Sequence, residues 1–319
     1  MNKIKNNSDA DLDDVLWRFM SLDKFIDLLS TKELFFASID SFKHSDPLEG
    51  FLPKAFYNIR KNEILALNDE AYNVGINKRN SYCDKLKEVK NNKQQTEFYN
   101  ELIKTTDIVA SRYKQRINKL LKTNLEISTK SKLINCWHSN PHESEAMWKL
   151  YSDGGKGIAI KTTVKKLLGS IKSNKEISFS DVLYMDFNTT KLPDYVHTTN
   201  QPAKRMSFSH ENEKRLHINS FNENDHLDLF HLFIMHEELP TSEDIQKFAE
   251  KFYKNCKIEV DLLTLIDEIY ISPYSQDPFD SSVKAVCDIY SQNSELADLP
   301  TPKKSNLLEG FDWGNYLSE

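Results

Sequence analysis

The densest run of groups able to do acid–base or electrostatic work is Lys204-Arg205-Met206-Ser207-Phe208-Ser209-His210-Glu211-Asn212-Glu213-Lys214-Arg215. In an extended strand, residues at i, i+2 and i+4 share a face. A strand over 206–218 would therefore align Ser209, Glu211, Glu213, Arg215 and His217, with Phe208, His210, Asn212, Lys214, Leu216 and Ile218 on the other side. Two neighbouring carboxylates repel, which raises one pKa unless a cation such as Arg215 neutralises them. A polar face of this kind suits the wall of a cleft. It suits equally an exposed sheet edge whose charges block pairing with another chain. The residue types alone do not choose between the two.

Three other groups have chemical potential. Arg18 stands in an otherwise apolar run, Leu16-Trp17-Arg18-Phe19. If buried, it needs a carboxylate or a ligand phosphate for its planar fork. Ser144, Met147, Trp148 and Tyr151 fall on one stripe of a helix spanning 142–151. That stripe is either core or a stacking wall for a planar ligand. Glu143 and Glu145 at its start favour the helix dipole without further explanation. His44-Ser45-Asp46-Pro47-Leu48-Glu49 has turn chemistry and an incomplete metal-ligand set. Gly154-Gly155-Lys156-Gly157 lacks phosphate-loop spacing and reads as a turn.

The elements that must position these groups follow from periodicity. A strand at 15–19 leads through an N-cap at Ser21 into a helix carrying Leu22, Phe25, Ile26 and Leu29, then an apolar run at 34–37. Strands are expected at 133–137, 157–160, 177–187, 206–218 and 265–271. Helices are expected at 142–151, 164–171, 227–237, 242–255 and 281–290. Residues 54–130 are rich in Lys, Asn and Gln, and Phe98, Leu102, Val109, Tyr113, Ile117 and Leu120 sit close to a helical period. That stretch reads as long amphipathic helices inserted into a single domain spanning 1–319. Strands interleaved unevenly with helices give an α+β fold, with a mixed or antiparallel central sheet and flanking helices.

Bulk properties narrow the function classes. The 319 residues are 39% hydrophobic, enough for a real core. With 48 acidic and 42 basic residues the net charge is -6, which gives no drive for strong non-specific nucleic-acid binding. No apolar run approaches the roughly 20 residues that span a bilayer, and no secretory pattern opens the chain. Cys83, Cys136, Cys256 and Cys287 are scattered, which fits reduced, structural thiols in the cytoplasm.

Several segments in this order resemble a bacterial family, the domain of unknown function 2971. They are Leu16-Trp17-Arg18-Phe19, Leu34-Phe35-Phe36 with Phe42 and Asp46-Pro47-Leu48-Glu49-Gly50, Cys136-Trp137, and Met147-Trp148-Lys149-Leu150-Tyr151. Gly157-Ile158-Ala159-Ile160, Lys204-Arg205 with Glu211-x-Glu213-x-Arg215, and Ile269-Tyr270-Ile271-Ser272-Pro273 complete the set. The resemblance breaks at 54–130 and near 188–202, and it names no reaction. A weaker resemblance is to ADP-ribosyltransferases of the Arg-Ser-Glu type, through Arg18 early and Glu211-x-Glu213 late. It implies NAD as substrate. Arg18 would hold its pyrophosphate or ribose, and one glutamate would stabilise an oxocarbenium while the other handles the acceptor. Phe36, Trp148 or Tyr151 would stack on nicotinamide, and Ser38 is the nearest candidate for the serine motif. Lys204, Arg205 and Arg215 complete the candidate cofactor-binding residues.

Three readings follow. The first is an NAD-consuming transferase or glycohydrolase with a toxin or antiphage role, acting on a small-molecule nucleotide and an unknown acceptor, with no metal expected. The second is a metal-dependent nuclease or phosphoesterase using Asp46, Glu49, Glu143, Glu211 and Glu213. The third is a non-catalytic module that binds a nucleotide or a protein.

Overall fold

A computed structural model describes all residues except 1–2, 43, 52, 90, 190, 192–201, 222, 235–237, 253–254, 293 and 311–319. The fold is α+β, with a mixed central sheet and flanking helices. Along the chain, β1 (Lys3–Asn6) and β2 (Val15–Met20) precede α1 (Leu22–Thr31) and β3 (Glu33–Ser38). Two long helices follow, α2 (Lys54–Glu88) and α3 (Lys93–Lys130), and then β4 (Lys132–Ser139). Next come α4 (Glu145–Tyr151), β5 (Ile158–Thr163), α5 (Val164–Ser170), β6 (Glu176–Asp181), β7 (Leu183–Met185) and β8 (Ala203–Arg205). The last part holds β9 (Glu213–Asn219), α6 (Glu223–Ile234), α7 (Ser242–Ala249), β10 (Cys256–Glu259), α8 (Leu262–Leu265), β11 (Glu268–Ile271), α9 (Phe279–Ser291) and β12 (Lys303–Lys304).

The main sheet runs β1-β6-β9-β4-β2-β5-β11-β12, and β3 joins it on β4 while carrying β10 on its far edge. The β1/β6 and β11/β12 pairs are parallel, and the other pairs of this sheet are antiparallel. Alternation gives the sheet two different faces. One receives Leu16, Met20, Leu133, Trp137, Ile158, Ile160, Leu216 and Ile218 and joins α1, α5, α8 and α9 in the main apolar core. The other carries Trp17, Phe19 and Ala159 beneath Met147 and Trp148 of α4. Farther along that second face, on β9 and β4, the pattern turns polar.

Three expectations need correction. The strand expected over 206–218 is interrupted: a 3₁₀ turn at Met206–Glu211 separates β8 from β9. Asn212 closes that turn at φ 37°, a left-handed conformation that asparagine tolerates better than branched residues. The strand expected over 177–187 likewise divides into β6 and β7, because the Val182 N–H turns to the Glu213 carbonyl. Of the stretch expected as a strand at 265–271, Leu265 ends the short helix α8, which Asp261 caps, and only Glu268–Ile271 is extended. The edge strands β1 and β10 had no expectation at all, being short and polar.

Lys54–Glu88 and Lys93–Lys130 are helical as expected, but the apolar period belongs to α3; α2 has almost none. The last third of α3 packs well, with Ile117, Leu120, Leu121 and Ile127 buried, and the start of α2 buries Ala55 and Phe56. Phe98 and Val109 of the same stripe are exposed. Leu120 and Ile127 share a second core with Phe221, Leu229, Phe233 and Phe252. Among the described residues no helix is long and apolar enough to cross a membrane.

Candidate functional site

The polar patch is built on β9. Leu216 and Ile218 enter the main core, so Glu213, Arg215 and His217 take the other face. Their cross-strand partners on β4 are His138, Cys136 and Ile134. Arg215 donates from Nη1 to Glu49 Oε1 at 2.8 Å and from Nη2 to Glu213 Oε2 at 2.6 Å. Lys204 Nζ lies 2.6 Å from Glu211 Oε2, 3.6 Å from Glu49 Oε2 and 3.7 Å from Glu213 Oε2. Beside this knot, Arg205 Nη2 donates to Asp46 Oδ1 at 2.6 Å. Asp46, Glu49, Lys204, Glu211, Glu213 and Arg215 are each 7% exposed or less.

Local chemistry explains each placement. Asp46 Oδ1 accepts from the Leu48 N–H at 3.0 Å, and the Asp46 carbonyl accepts from the Glu49 N–H at 2.9 Å. This is a side-chain-stabilised turn with Pro47 at its bend, and it aims Glu49 at β9. The 3₁₀ turn folds the chain back so that Glu211 meets Lys204, seven residues earlier. Asn212 ties the turn to β4 by donating to the Ser139 carbonyl and accepting from the Ser139 N–H.

The electrostatics separate two adjacent glutamates. Burial would raise the Glu213 pKa, but Arg215 and Lys204 outweigh it and hold the carboxyl below the usual range. At Glu211 burial wins over Lys204, and the pKa is raised. Arg215 shows the same balance from the other side: burial would lower its pKa, and Glu213, Cys136 and Glu49 drive it well up. Burial and Glu213 push the Cys136 thiol well up, so it stays protonated and donates to Glu213. Tyr184 Oη accepts from the Glu213 N–H at 2.8 Å. Burial and the charges of Glu211 and Glu213 raise the Tyr151 pKa, although 45% of that residue is exposed. Tyr151 therefore borders the carboxylates on the solvent side.

Histidine 138 has a defined tautomer. Its Nδ1 meets the Glu211 carbonyl, which only accepts, so Nδ1 carries the proton. Burial depresses its pKa, leaving a neutral ring with a bare Nε2. That atom is buried without a partner among the described residues, as are Asp46 Oδ2, Arg205 Nε and Arg215 Nε. All four belong to residues of this one patch. Four carboxyl groups face three cations here, and each cation is already paired, so the patch has one more acidic group than basic ones.

The structure thus brings together Lys204, Arg205, Glu211, Glu213 and Arg215, with Tyr151 alongside. It does not bring Arg18 to them. Arg18 pairs with Ile160, lies between the core residues Leu16 and Met20, and stacks over Trp137 at 5.7 Å, all on the opposite face of the sheet. It has no ion pair among the described residues, and burial pulls its pKa down to about 10. Phe36 is fully buried in that same core. Ser38 gives its hydroxyl to the Lys130 carbonyl at 3.0 Å.

Trp148 is also core: it meets Phe19 edge to face at 4.9 Å and donates its indole N–H to Glu143 at 3.0 Å, leaving no open ring face. Gly154 and Gly155 form a turn with both residues at positive φ. That turn borders a cavity of about 440 Å³ with Lys149 and Tyr274, which none of the clustered carboxylates lines. Lys204 Nζ occupies the point on which Glu49, Glu211 and Glu213 converge. Among the described residues no group of His, Cys, Asp and Glu is arranged to hold a metal ion.

Sequence reasoning joined Asp46 and Glu49 to the glutamates only as the carboxylates of a metal-dependent site, not as partners of Arg205 and Arg215, and it had not joined Cys136, His138 or Tyr184 to them. The only signal was Asp46-Pro47-Leu48-Glu49 itself, two acids in a turn, and its partner Arg215 is 166 residues from Glu49.

No curated protein and no solved structure matches the chain. Nothing in the comparisons extends to the ADP-ribosyltransferases. Residues 147–216, which include Tyr151, Tyr184, Lys204, Arg205, Glu211, Glu213 and Arg215, match the family model described as "Protein of unknown function (DUF2971)".

Proposed function

We propose that the Glu211–Glu213 site cleaves the N-glycosidic bond of a ribosyl pyridinium such as NAD, passing the ribosyl group to water or to an acceptor. The observation that carries this reading is two adjacent buried carboxyls in unlike settings, Glu213 against both Arg215 and Lys204 and Glu211 against Lys204 alone, which shifts their pKa values in opposite directions. Carboxyls whose environments push their pKa values apart are suited to distinct acid–base and electrostatic roles. The charge balance supports a cationic substrate group over a free phosphate, because no cation of the patch is left unpaired.

The chemistry follows in order. The bond between the ribose anomeric carbon and the pyridinium nitrogen breaks, and its electron pair neutralises the departing nicotinamide. Positive charge develops on the ribose as an oxocarbenium, which the ionised Glu213 stabilises. Water or the acceptor adds to the anomeric carbon, and its proton passes to Glu211. In this reading Tyr151, at the exposed side, meets the leaving ring. Arg18, Phe36, Ser38 and Trp148 take no part, since they lie on the far face or inside the core.

The test is nicotinamide release from NAD, followed chromatographically with and without candidate acceptor proteins. Glu213→Gln is expected to lose about 10²-fold or more in rate, and Glu211→Gln about 10- to 10²-fold. A wild-type protein that releases no nicotinamide, alone or with acceptors, sinks the reading. A second reading, a non-catalytic binding module, draws on the near-complete internal pairing of the knot. It expects Glu213→Gln to alter affinity with no turnover to lose.

A further inference from the structure

We infer that a second copy of this chain docks on the long hairpin, α3 against α3 and antiparallel about a two-fold axis, through the face that carries Phe98, Leu102, Thr105 and Val109. The dimer is independent of the reaction proposed above. α3 presents two seams that each alternate steps of four and three residues. The first, Tyr99, Ile103, Thr106, Ala110, Tyr113 and Ile117, is half-buried to buried along the hairpin that α2 closes. The second, Phe98, Leu102, Thr105 and Val109, is open: Phe98 is 58% and Val109 60% exposed. Thr105 adds no polar demand to it, because its hydroxyl donates to the Glu101 carbonyl at 2.8 Å. At 3.6 residues per turn the two seams lie roughly 90° apart around α3. A helix in a square bundle meets its two neighbours at that angle, so two hairpins joined through the open seam make a four-helix bundle.

Charge and length set the same register. Pairing Phe98 with the partner's Val109, and Leu102 with the partner's Thr105, centres the two-fold between Ile103 and Lys104. On the flank beside the seam, Glu97 then lies about 3 Å along the axis from the partner's Arg112, and Glu101 about as close to the partner's Lys104. These four residues are exposed, and none has an ion pair among the described residues. An open trough of about 620 Å³ runs along that flank past Lys104, Ile108 and Arg112, where the partner's glutamates are received. The length argument starts from the body of the protein. No residue of α3 before Ile117 is buried, and α3 is tied down where Arg116 donates to the Phe233 carbonyl at 3.1 Å and Lys119 to the Pro240 carbonyl at 2.6 Å. The projecting part, 93–116, has its midpoint close to Lys104, so this register overlaps the two hairpins over their whole projection. That is a length of about 36 Å across two helices each about 10 Å wide, or roughly 700 Å² per copy, close to the ~800 Å² of a standard interface. Helices that lie on a lipid surface line their polar face with Lys and Arg. Here acids flank the seam on one side of the centre and bases on the other, which favours a second copy.

The test is sedimentation equilibrium on the full chain. The wild type is expected to reach twice the chain mass by about 100 µM, above the micromolar upper end for interfaces of this size. Val109→Lys sets a charge into the seam and is expected to weaken the dimer about tenfold or more. Glu97→Arg and Arg112→Glu each oppose like charges and are expected to weaken it about threefold or more, while Glu97→Arg/Arg112→Glu together return it to near the wild-type value. The two positions are about 22 Å apart on one helix, so that rescue needs a second copy. All these positions are exposed; should Val109→Lys nonetheless fail to fold by circular dichroism, the charge swaps decide. A wild type that stays monomeric overturns the inference. So does a dimer indifferent to Val109→Lys, which is built on another surface, and so does weakening by the single charge reversals without rescue by the pair.

Discussion

Arg18 and Arg215 are strand arginines of one sheet, and they face opposite ways. Arg215 is held by Glu213 and Glu49, and its pKa is driven well up. Arg18 stacks on Trp137 among aliphatic neighbours, has no ion pair among the described residues, and its pKa is pulled down. Both pay desolvation, but only one recovers it in Coulomb energy and hydrogen bonds. The polar face is therefore a mutually dependent ionic knot, whereas on the apolar face a single charge is tolerated by a π-face and residual solvent contact. A ligand that reorganises charge will be felt at Arg215 and not at Arg18.

Arg215→Met leaves Glu49 and Glu213 buried with only Lys204 between them, and is expected to cost about 3–5 kcal/mol, read from the urea midpoint. A loss below about 1 kcal/mol would show that water, not Arg215, neutralises those carboxylates.

The next largest effect lies within the knot. Glu213, with its pKa lowered, stabilises the fold above its unfolded pKa, and that contribution is lost as pH falls through the folded value. Glu211, with its pKa raised, works the other way: its ionisation above about pH 4.3 opposes folding, and acid relieves it. Glu213→Gln should therefore cost roughly 1–3 kcal/mol at pH 7 and flatten the acid limb of the stability profile, while Glu211→Gln should cost about 1 kcal/mol or less. Equal losses at both positions would remove the asymmetry on which the proposed roles depend.

His217, next on the same face, sharpens the contrast through pH. Burial, then Lys132 and Arg215, depress its pKa to about 4, so the unfolded chain takes a proton that the folded chain refuses. Stability should decline as pH falls from about 6.5 toward 4, by on the order of 1 kcal/mol at pH 5. His217→Gln should remove that decline; an unchanged profile assigns it elsewhere. The smallest effect is expected at the other arginine: Arg18→Met should change stability by no more than about 1 kcal/mol and leave the rate of nicotinamide release unchanged. Loss of ligand binding in a folded Arg18→Met protein would return Arg18 to the site and contradict the separation of the two faces.

Much of the secondary structure was legible in the sequence because it depends on local periods. Ser21 stands at the start of α1, the helical stretch within 54–130 is helical, and the α+β class follows from the interleaved patterns. Errors came where local polarity mimicked a strand. Ser207 to Asn212 alternates well enough to be read as extended, yet it forms a 3₁₀ turn ended by Asn212 in the left-handed region. Two carboxylates expected to share a strand face meet instead because the chain folds back. The aromatic stripe on α4 divided in two, Trp148 into the core and Tyr151 toward the carboxylates, because a single helical turn separates a core-facing position from a rim position.

By itself, then, the sequence determined which residues alternate into which face of β9, and hence that Glu213 and Arg215 sit together, since strand alternation is a property of neighbours. Only the tertiary structure decided that Asp46 and Glu49 close the knot, that Lys204 fills its centre, and that Arg18 stands outside it. Those outcomes depend on which strands pair, on the facing of β2 against β4, and on a turn that must travel more than 150 residues of chain to meet Arg205 and Arg215. Contacts of that range are set by burying the apolar faces of the sheet, and the charged groups are carried to one another as a consequence.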